Sequence, residues 1–533
     1  MRVISLLLSV GFNLLAILCL VLGITDSWLW FWGLLPSALL GGLAIWDLTQ
    51  THHSILRNYP LLGHLRFFAE SIRPEIVQYF VEQDEDGRPY TRVERSAVYE
   101  RAKNQEDVKP FGTQLDVYND EYEFLSHSIV PKPLSTEPFR TTIGGEQCSK
   151  PYSTSLLNIS AMSFGALSPN ALLALNQAAK KGNFYHDTGE GGISPYHKKP
   201  GGDLVWEIGT GYFGCRTEDG HFDPDRFEEQ ATMDQVKMIE IKVSQGAKAG
   251  HGGVLPGSKV DEEIAKTRGI PVGKDCISPA FHSAFSTPIE LLEFIQVLRD
   301  RSGGKPAGFK LCIGMPSEFL AICKAILETG IIPDFIVVDG GEGGTGAGPI
   351  EFLNHMGCPL TEGLLFVHNA LVGCNLRDKI KVGCSAKITN AFGMASRIAI
   401  GADWCNAARA FMFSVGCIQA QRCHTNTCPV GVATQDARLY RGLVVENKAE
   451  RAYHYHRNTM DALAEVVAAC GLEHPDEFTP SHVLRRCSPT VVRNYSEIYE
   501  FLKPSELVQG GGNALWQKYW DGSNATTFAM TAS

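Results

Sequence analysis

Cys417, Cys423 and Cys428 form a Cys-x5-Cys-x4-Cys array within CIQAQRCHTNTC, and PVGVATQ follows at once. Thiolate sulfur is soft and electron-rich, so three thiolates this close suit an iron–sulfur cluster or zinc. A structural zinc site or a four-iron cluster normally draws four protein ligands. Three suit a 3Fe-4S cluster, or a larger cluster with one open iron. The plain alternative is three buried free cysteines on a helix and a loop. The local clustering, with Pro429 and two glycines close by, argues against it.

Other segments carry chemistry of a different kind. DGGEGGTGAGP (339–349), holding Gly343, Gly344 and Thr345, follows an apolar run. Such a loop lets backbone N–H groups approach a phosphate. It matches neither the ATP nor the dinucleotide fingerprint. IKVSQGAKAGHGGVLPG (241–257) carries Lys242 and Lys248 with Gln245 midway. In an extended segment that even spacing puts both lysines on one side, where converging cations would hold a dicarboxylate or a phosphate. Glu190, in DTGEGG, sits among glycines and is placed to orient an imine or amine, or to satisfy backbone donors. MSFGALS (162–168), beginning with Met162 and Ser163, has the small residues against which a flat ring can lie.

These segments need a scaffold, and the flanking pattern supplies one. Short apolar runs end in glycine-rich or polar turns: LLNISAM, FYHDTGEGG, Val205–Ile208, MIEIKVSQG, FKLCIG, DFIVVDGG, KIKVGCSA and DWCNAARA. Helical patterns lie between several of them, including SPNALLALNQAAKKG, PIELLEFIQVLRD, EFLAICKAILET and NAFGMASRIAIG. This alternation predicts an α/β protein with a parallel sheet. Eight strands would close a (β/α)8 TIM barrel, with an open doubly wound sheet as the runner-up. In a barrel the late loops commonly hold a phosphate. Here those are 383–386 and 406–409, with Gly383, Ser385, Asn406 and Ala408, and one phosphate held there suggests FMN more than NAD.

The chain has 533 residues and a net charge of −10 without a long basic run, which excludes nucleic acid as an expected partner. Fifteen scattered cysteines point to a reducing compartment. Val3 to Thr25 carries no charge, nor does Ser27 to Trp46. Each can cross the hydrocarbon layer as a helix, with Trp28, Trp30, Trp32 and Trp46 as interfacial anchors. Arg57, Arg66 and Arg73 follow the second run. The positive-inside rule then predicts a multi-pass inner (cytoplasmic) membrane protein with two helices and its catalytic body in the cytoplasm. A cleaved signal peptide fits less well, because the first run is long and a second span follows. The expected divisions are a hairpin (1–48), an extension packing on the barrel (49–149), the barrel (150–436, cysteine loop 417–428), and a helical C-terminal extension (437–533). The tail from about 505 is Gly/Ser/Asn/Thr-rich and expected to be less ordered.

Taken together, ISAMSFGALSPNA, DTGEGG, QGAKAGHGGVLPG, DGGEGGTGAGP and GCIQAQRCHTNTCPVGVATQD resemble the FMN-binding synthase domain of glutamate synthase, over roughly 150–436. The stretch from Arg57 to Tyr79 resembles the short, membrane-hairpin members of that family. The resemblance implies FMN at a barrel mouth, beside a 3Fe-4S cluster on Cys417, Cys423 and Cys428. It implies reductive amination of 2-oxoglutarate with ammonia, an oxidoreductase reaction at a CH–NH2 group. Lys242, Gln245, Lys248 and Arg268 would bind 2-oxoglutarate. Glu190 would face the reacting centre, and Lys310 would stabilise the anionic reduced ring.

The departures set further expectations. Arg2 follows Met1 where full-length family members carry a glutamine-hydrolysing cysteine, so ammonia is expected to be free or supplied by a separate glutaminase. The family's C-terminal β-helical domain and a dinucleotide-binding subunit are expected to be missing. The electron donor would then be a separate reductase, a ferredoxin or a quinone-linked carrier. The family's QGAKPGEGGQLPG reads QGAKAGHGGVLPG here, with His251 for a glutamate and Val254 for a substrate-contacting glutamine. Losing a hydrogen bond to a carboxylate costs about 1.5–3 kcal/mol. The alternative expectation is therefore a dehydrogenase of another amino acid or 2-hydroxy acid, coupled to a membrane carrier. A non-enzymatic scaffold would have no use for these residues.

Overall fold

The computed structural model describes residues 1–105 and 108–530. The chain divides into two compact units, Met1–Arg92 and Val93–Ser533.

In the first unit, α1 (Arg2–Thr25) and α2 (Phe31–Thr49) are joined by a 3-10 turn at Trp28–Trp30. With that turn included in the second, both are long and apolar enough to cross a membrane. Their packing seam is made of small and polar residues. Asn13 Nδ2 donates to the Gly41 carbonyl at 3.3 Å, and a Cβ on Gly41 would collide with the Asn13 side chain. Close backbone approach of this kind pairs apolar helices while larger side chains stay outside. α3 (Ser54–Asn58) and α4 (Leu62–Ile76) follow. Asp47, buried near the end of α2, accepts from Leu61 N–H at 2.9 Å and lies 2.9 Å from His64 Nε2.

The second unit is built on a closed parallel barrel: β1 (Leu157–Ile159), β2 (His186–Asp187), β3 (Leu204–Ile208), β4 (Val236–Lys242), β5 (Ala307–Leu311), β6 (Phe335–Asp339), β7 (Lys381–Ser385) and β8 (Trp404–Ala407). Each strand pairs with its sequence neighbours, and β8 closes on β1. All eight expected runs are strands. They read as continuous apolar segments because both faces of a barrel wall are covered.

Helices follow the strands: α5 (Pro169–Gly182) after β1, α6 (Pro224–Ala231) after β3, α7 (Pro288–Arg301) after β4, α8 (Pro316–Thr329) after β5, α9 (Leu360–Gly373) after β6, α10 (Ala391–Ile398) after β7 and α11 (Arg409–Ser414) after β8. Several starts are written locally. Ser168 caps α5 through its hydroxyl, with Pro169 in the first turn. Thr287 and Glu290 form a capping box on α7. Inside the barrel Trp404 Nε1 donates to Tyr185 OH at 2.8 Å, and Tyr185 OH donates to Asn406 Oδ1 at 2.6 Å.

The expected helical extension is present, with Val445–Ala469 as its longest helix, and one expectation after residue 437 is corrected. The extension also carries strands. Val483–Ser488 and Val491–Asn494 form an antiparallel pair, joined at its other edge by Glu123–Leu125. The β-branched Val491 and Val492 follow a Ser-Pro-Thr turn and favour this. The tail is packed: helix Ala514–Gly522 buries Trp516, which stacks on Phe366 of α9 at 4.9 Å and 4°.

Candidate active site at the barrel mouth

The C-terminal strand ends and the loops after them bring most of the chemistry-bearing residues to one mouth. Lys242 closes β4, and its Nζ lies 2.8 Å from Glu190 Oε2 on the loop after β2. A Cβ on Gly253 would collide with the Glu190 carboxyl, so the QGAKAGHGG segment lies directly over it. Lys248 is buried in the 3-10 turn Gly246–Lys248 and donates to the Ala347 carbonyl at 3.3 Å. The lysines therefore converge on Glu190 through a tight turn, not through extended spacing. Burial pushes the Glu190 carboxyl up, but Lys242, Lys248 and Arg268 outweigh it and bring its pKa down to about 2. Burial brings Lys248 down to about 8; Glu190 opposes that and Lys242 adds to it.

Arg268 ends the helix Glu262–Arg268 and is buried. It donates to Phe164 O at 2.9 Å and Ser163 Oγ at 3.3 Å, with its guanidinium over the Phe213 ring. Its Nε makes no hydrogen bond. Gln245 is half-buried, and its amide bonds to nothing among the described residues. The set comprises three cationic side chains, one carboxylate and one amide, arranged to take an anion.

The cradle beside them is made of glycines and backbone. Gly246 N–H donates to Asp339 Oδ2 at 2.7 Å, and a Cβ on Gly246 would collide with Gly340 O. Gly343 N–H returns to Gly340 O at 2.8 Å, Gly344 abuts Arg409, and Thr345 Oγ1 donates to Ala347 O at 3.3 Å. A Cβ on Gly189, whose φ is +65°, would strike the backbone of Met162 and Ser163. Ser385 Oγ lies 3.3 Å from Ser160 Oγ, and Ala408 precedes α11. Two proposed positions turn inward instead. The Asn406 side chain is taken up by Tyr185, and Gly383, within β7, gives room to the Trp404 ring.

Below the mouth lies a buried charged layer that sequence reasoning missed. Asp187, Glu207 and Glu240 bring carboxylate oxygens within 4.8 Å of one another. Lys310 on β5 is buried among them, paired with Glu207, 3.0 Å from Glu240 Oε1 and 4.0 Å from Asp187 Oδ2. The resemblance did not call for three carboxylates around Lys310. A signal was present: Glu207 is a lone charge inside an apolar strand, in LVWEI, and Glu240 is the one acid in VKMIEIK. Burial, less Lys310 and plus Glu207, pushes Glu240 up to about 7. His282 was also missed; its Nε2 lies 2.8 Å from Lys242 O and its Nδ1 3.0 Å from Tyr212 OH, fixing the end of β4.

The cysteine loop follows α11. Cys428 is buried, Cys417 and Cys423 are half-buried, and Gln419, Gln421 and Asn426 adopt positive φ. Burial raises the Cys417 thiol to about 12, with Cys423 and Cys428 adding to it. The three sulfurs are thus close enough to feel one another. Lys259, buried, donates to Ala166 O at 3.0 Å and to Cys423 O and Ala433 O at 3.2 Å. Tyr99 OH donates to Cys417 O at 2.6 Å.

The conserved region of glutamate synthase matches residues 99–473. The chain belongs to the glutamate synthase family. It is therefore an oxidoreductase acting on CH–NH2 donors. The glutamate synthase large subunit-like protein YerD of Bacillus subtilis is 36% identical over 493 residues, 85% of this chain and 93% of that one. The archaeal-type NADPH glutamate synthase of Thermotoga neapolitana is 32% identical over 313 residues, and the match spans 58% of each chain. A mutant flavocytochrome b2 with pyruvate bound covers 87% of this chain at 14% identity and TM-score 0.40, a likeness that carries no weight for the site.

Proposed function

We propose that this chain is an FMN- and 3Fe-4S-dependent glutamate synthase-type enzyme that reductively aminates 2-oxoglutarate with ammonia. The observation that carries this reading is the charge count at the mouth. Lys242, Lys248 and Arg268 face one carboxylate, Glu190, leaving two positive charges for a dicarboxylate to neutralise.

The residues present fit both cofactors. The Met162–Ser163 turn, the Gly343–Thr345 loop and the ends of β7 and β8 would hold FMN, which would supply hydride to the imine carbon. Cys417, Cys423 and Cys428 would ligate the cluster. The net reaction consumes 2-oxoglutarate, ammonium, two electrons and two protons, and gives glutamate and water.

Lys248 and Arg268 would bind the substrate carboxylates. Lys242 would donate to the keto oxygen. Glu190, ionised, would accept from the amine nitrogen and orient it. His282 holds the backbone of Lys242 in place. We further infer that the two apolar helices insert in a membrane and leave the barrel in the cytoplasm, where a reductase, ferredoxin or quinone-linked carrier supplies electrons. Ammonia would be free or come from a separate glutaminase.

The test is anaerobic absorbance of detergent-purified protein. The flavin is reduced, 2-oxoglutarate and ammonium are added, and the band near ~450 nm is followed. Its return only with both present supports glutamate synthesis. A flavin that stays bleached rejects it. One observation keeps a second reading open: Val254 stands next to Gly253, which lies against Glu190. Its side chain cannot donate to a substrate carboxylate. Reduction of the oxidised flavin by another amino acid or 2-hydroxy acid would favour that dehydrogenase reading.

A further inference from the structure

We propose that α4 and the turn after it form an interfacial helix, with one apolar face embedded at the lipid headgroup boundary. This rests on the membrane hairpin proposed above.

The pattern is read along Leu62–Ile76 and its continuation as a π-helix over Val77–Val81. Leu65, Phe68, Ile72, Ile76 and Tyr79 recur every three or four residues, and with Phe80, four after Ile76, share one face. Most of that face is bare: Leu65 is 65% exposed, Phe68 62%, Tyr79 53% and Phe80 85%, while Ile72 is half-buried. At 1.5 Å per residue the stripe from Leu65 to Phe80 runs about 22 Å. Scattered single apolar residues on a surface are ordinary, but a contiguous stripe needs a cover.

Three observations name lipid as the cover. First, the helix starts at the mouth of the hairpin. Asp47 of α2 holds Leu61 N–H and His64, and Ser5 Oγ of α1 donates to Pro60 O at 2.5 Å. The stripe therefore leaves from the level at which both candidate spans end. Second, cations border it. Arg66 and Arg73 flank the apolar face, and Arg57 lies just before it. Arg57 and Arg73 pair with no carboxylate among the described residues. Long basic side chains beside an apolar face reach up to headgroups while the face sinks below them. Third, the face is rich in phenylalanine and tyrosine, which suit a boundary that is apolar on one side and wet on the other.

The test uses the full chain in nanodiscs of phosphatidylglycerol and phosphatidylcholine. A photo-crosslinking benzophenone amino acid replaces Phe68, Phe80, Ser71 or Leu14, one at a time, and adducts are read by mass spectrometry. The expected result is a lipid mass shift at positions 68 and 80, and none at 71 on the polar side. Position 14, inside α1, reports the hairpin itself. Lipid at 14 with none at 68 or 80 overturns the interfacial face and leaves the hairpin standing. Crosslinks from 68 and 80 to residues 93–533 also overturn it, because the barrel unit would then be the cover. No lipid at 14 overturns the hairpin reading and this one together.

Discussion

Lys259 Nζ donates to the backbone carbonyl of Cys423 at 3.2 Å, while its own backbone lies between Lys248 and Arg268. One ammonium thus fastens the cysteine loop to the segment that carries the anion-binding residues. Asn426 Nδ2, donating to Ser258 O at 3.2 Å, repeats the link one residue away.

Replacing Lys259 with methionine would leave the carbonyls of Ala166, Cys423 and Ala433 without their donor. Each orphaned buried group costs about 1–3 kcal/mol. Lys259→Met is expected to lose iron and sulfide and to melt at a lower temperature, with Lys259→Arg in between. Iron and sulfide assays with thermal unfolding check this. Wild-type iron content in Lys259→Met would show the brace to be dispensable.

The Glu190–Lys242 pair gives a catalytic and an acid-stability prediction. Glu190→Gln keeps the shape and removes the charge. A positioned acid–base or hydrogen-bonding group typically contributes about 10²–10⁴-fold, so flavin reoxidation by 2-oxoglutarate and ammonium should slow by at least the lower figure. Glu190 has a pKa of about 2 when folded, below its ordinary value of 4.5. Its stabilising contribution is therefore complete above about pH 4.5 and lost as pH falls towards 2. The melting temperatures of wild type and Glu190→Gln should differ at neutral pH and converge on acidification. A difference independent of pH would mean the charge is not the source.

The barrel was legible because its strand runs are apolar and end in glycines, which even reveal β2, a strand of two residues. The convergence of Lys242 and Lys248 was legible as a pair of cations, although a 3-10 turn achieves it. The rest depended on long-range partners. Nothing local to Trp516 foretells its stacking on Phe366, so composition alone suggested a loose tail. Nothing near Lys310 in sequence foretells Glu207, Glu240 and Asp187, which come from three other strands.

That layer makes a prediction of opposite sign. Glu240 is raised to about 7 from 4.5, burial being the largest cause. The folded protein therefore binds more protons than the unfolded chain between those values, and this residue's contribution to stability declines as pH rises from 4.5 to 7. Glu240→Gln should flatten that decline, gaining stability relative to wild type across the window. Lys310→Met should do the reverse of a rescue: three buried carboxylates lose their cation, and breaking such a pair costs about 3–5 kcal/mol. Denaturant unfolding at several pH values reads both. Parallel curves for wild type and Glu240→Gln would contradict the assignment.

Lys248 places a titration in the range where the enzyme would be assayed. Its ammonium is buried, donates to Ala347 O and has a pKa of about 8, brought down mainly by burial. Above that value the free enzyme loses one of the three cations that face Glu190. A charge-assisted hydrogen bond to a carboxylate is worth about 1.5–3 kcal/mol, or roughly ten- to hundredfold in affinity. The KM for 2-oxoglutarate should therefore climb as pH passes 8, while kcat changes less. Lys248→Met should show the high KM at every pH, with the inflection gone. Measuring KM from about pH 7 to about pH 9.5, in wild type and variant, decides it. An inflection that persists in Lys248→Met would assign the titration to another group and remove Lys248 from the substrate site.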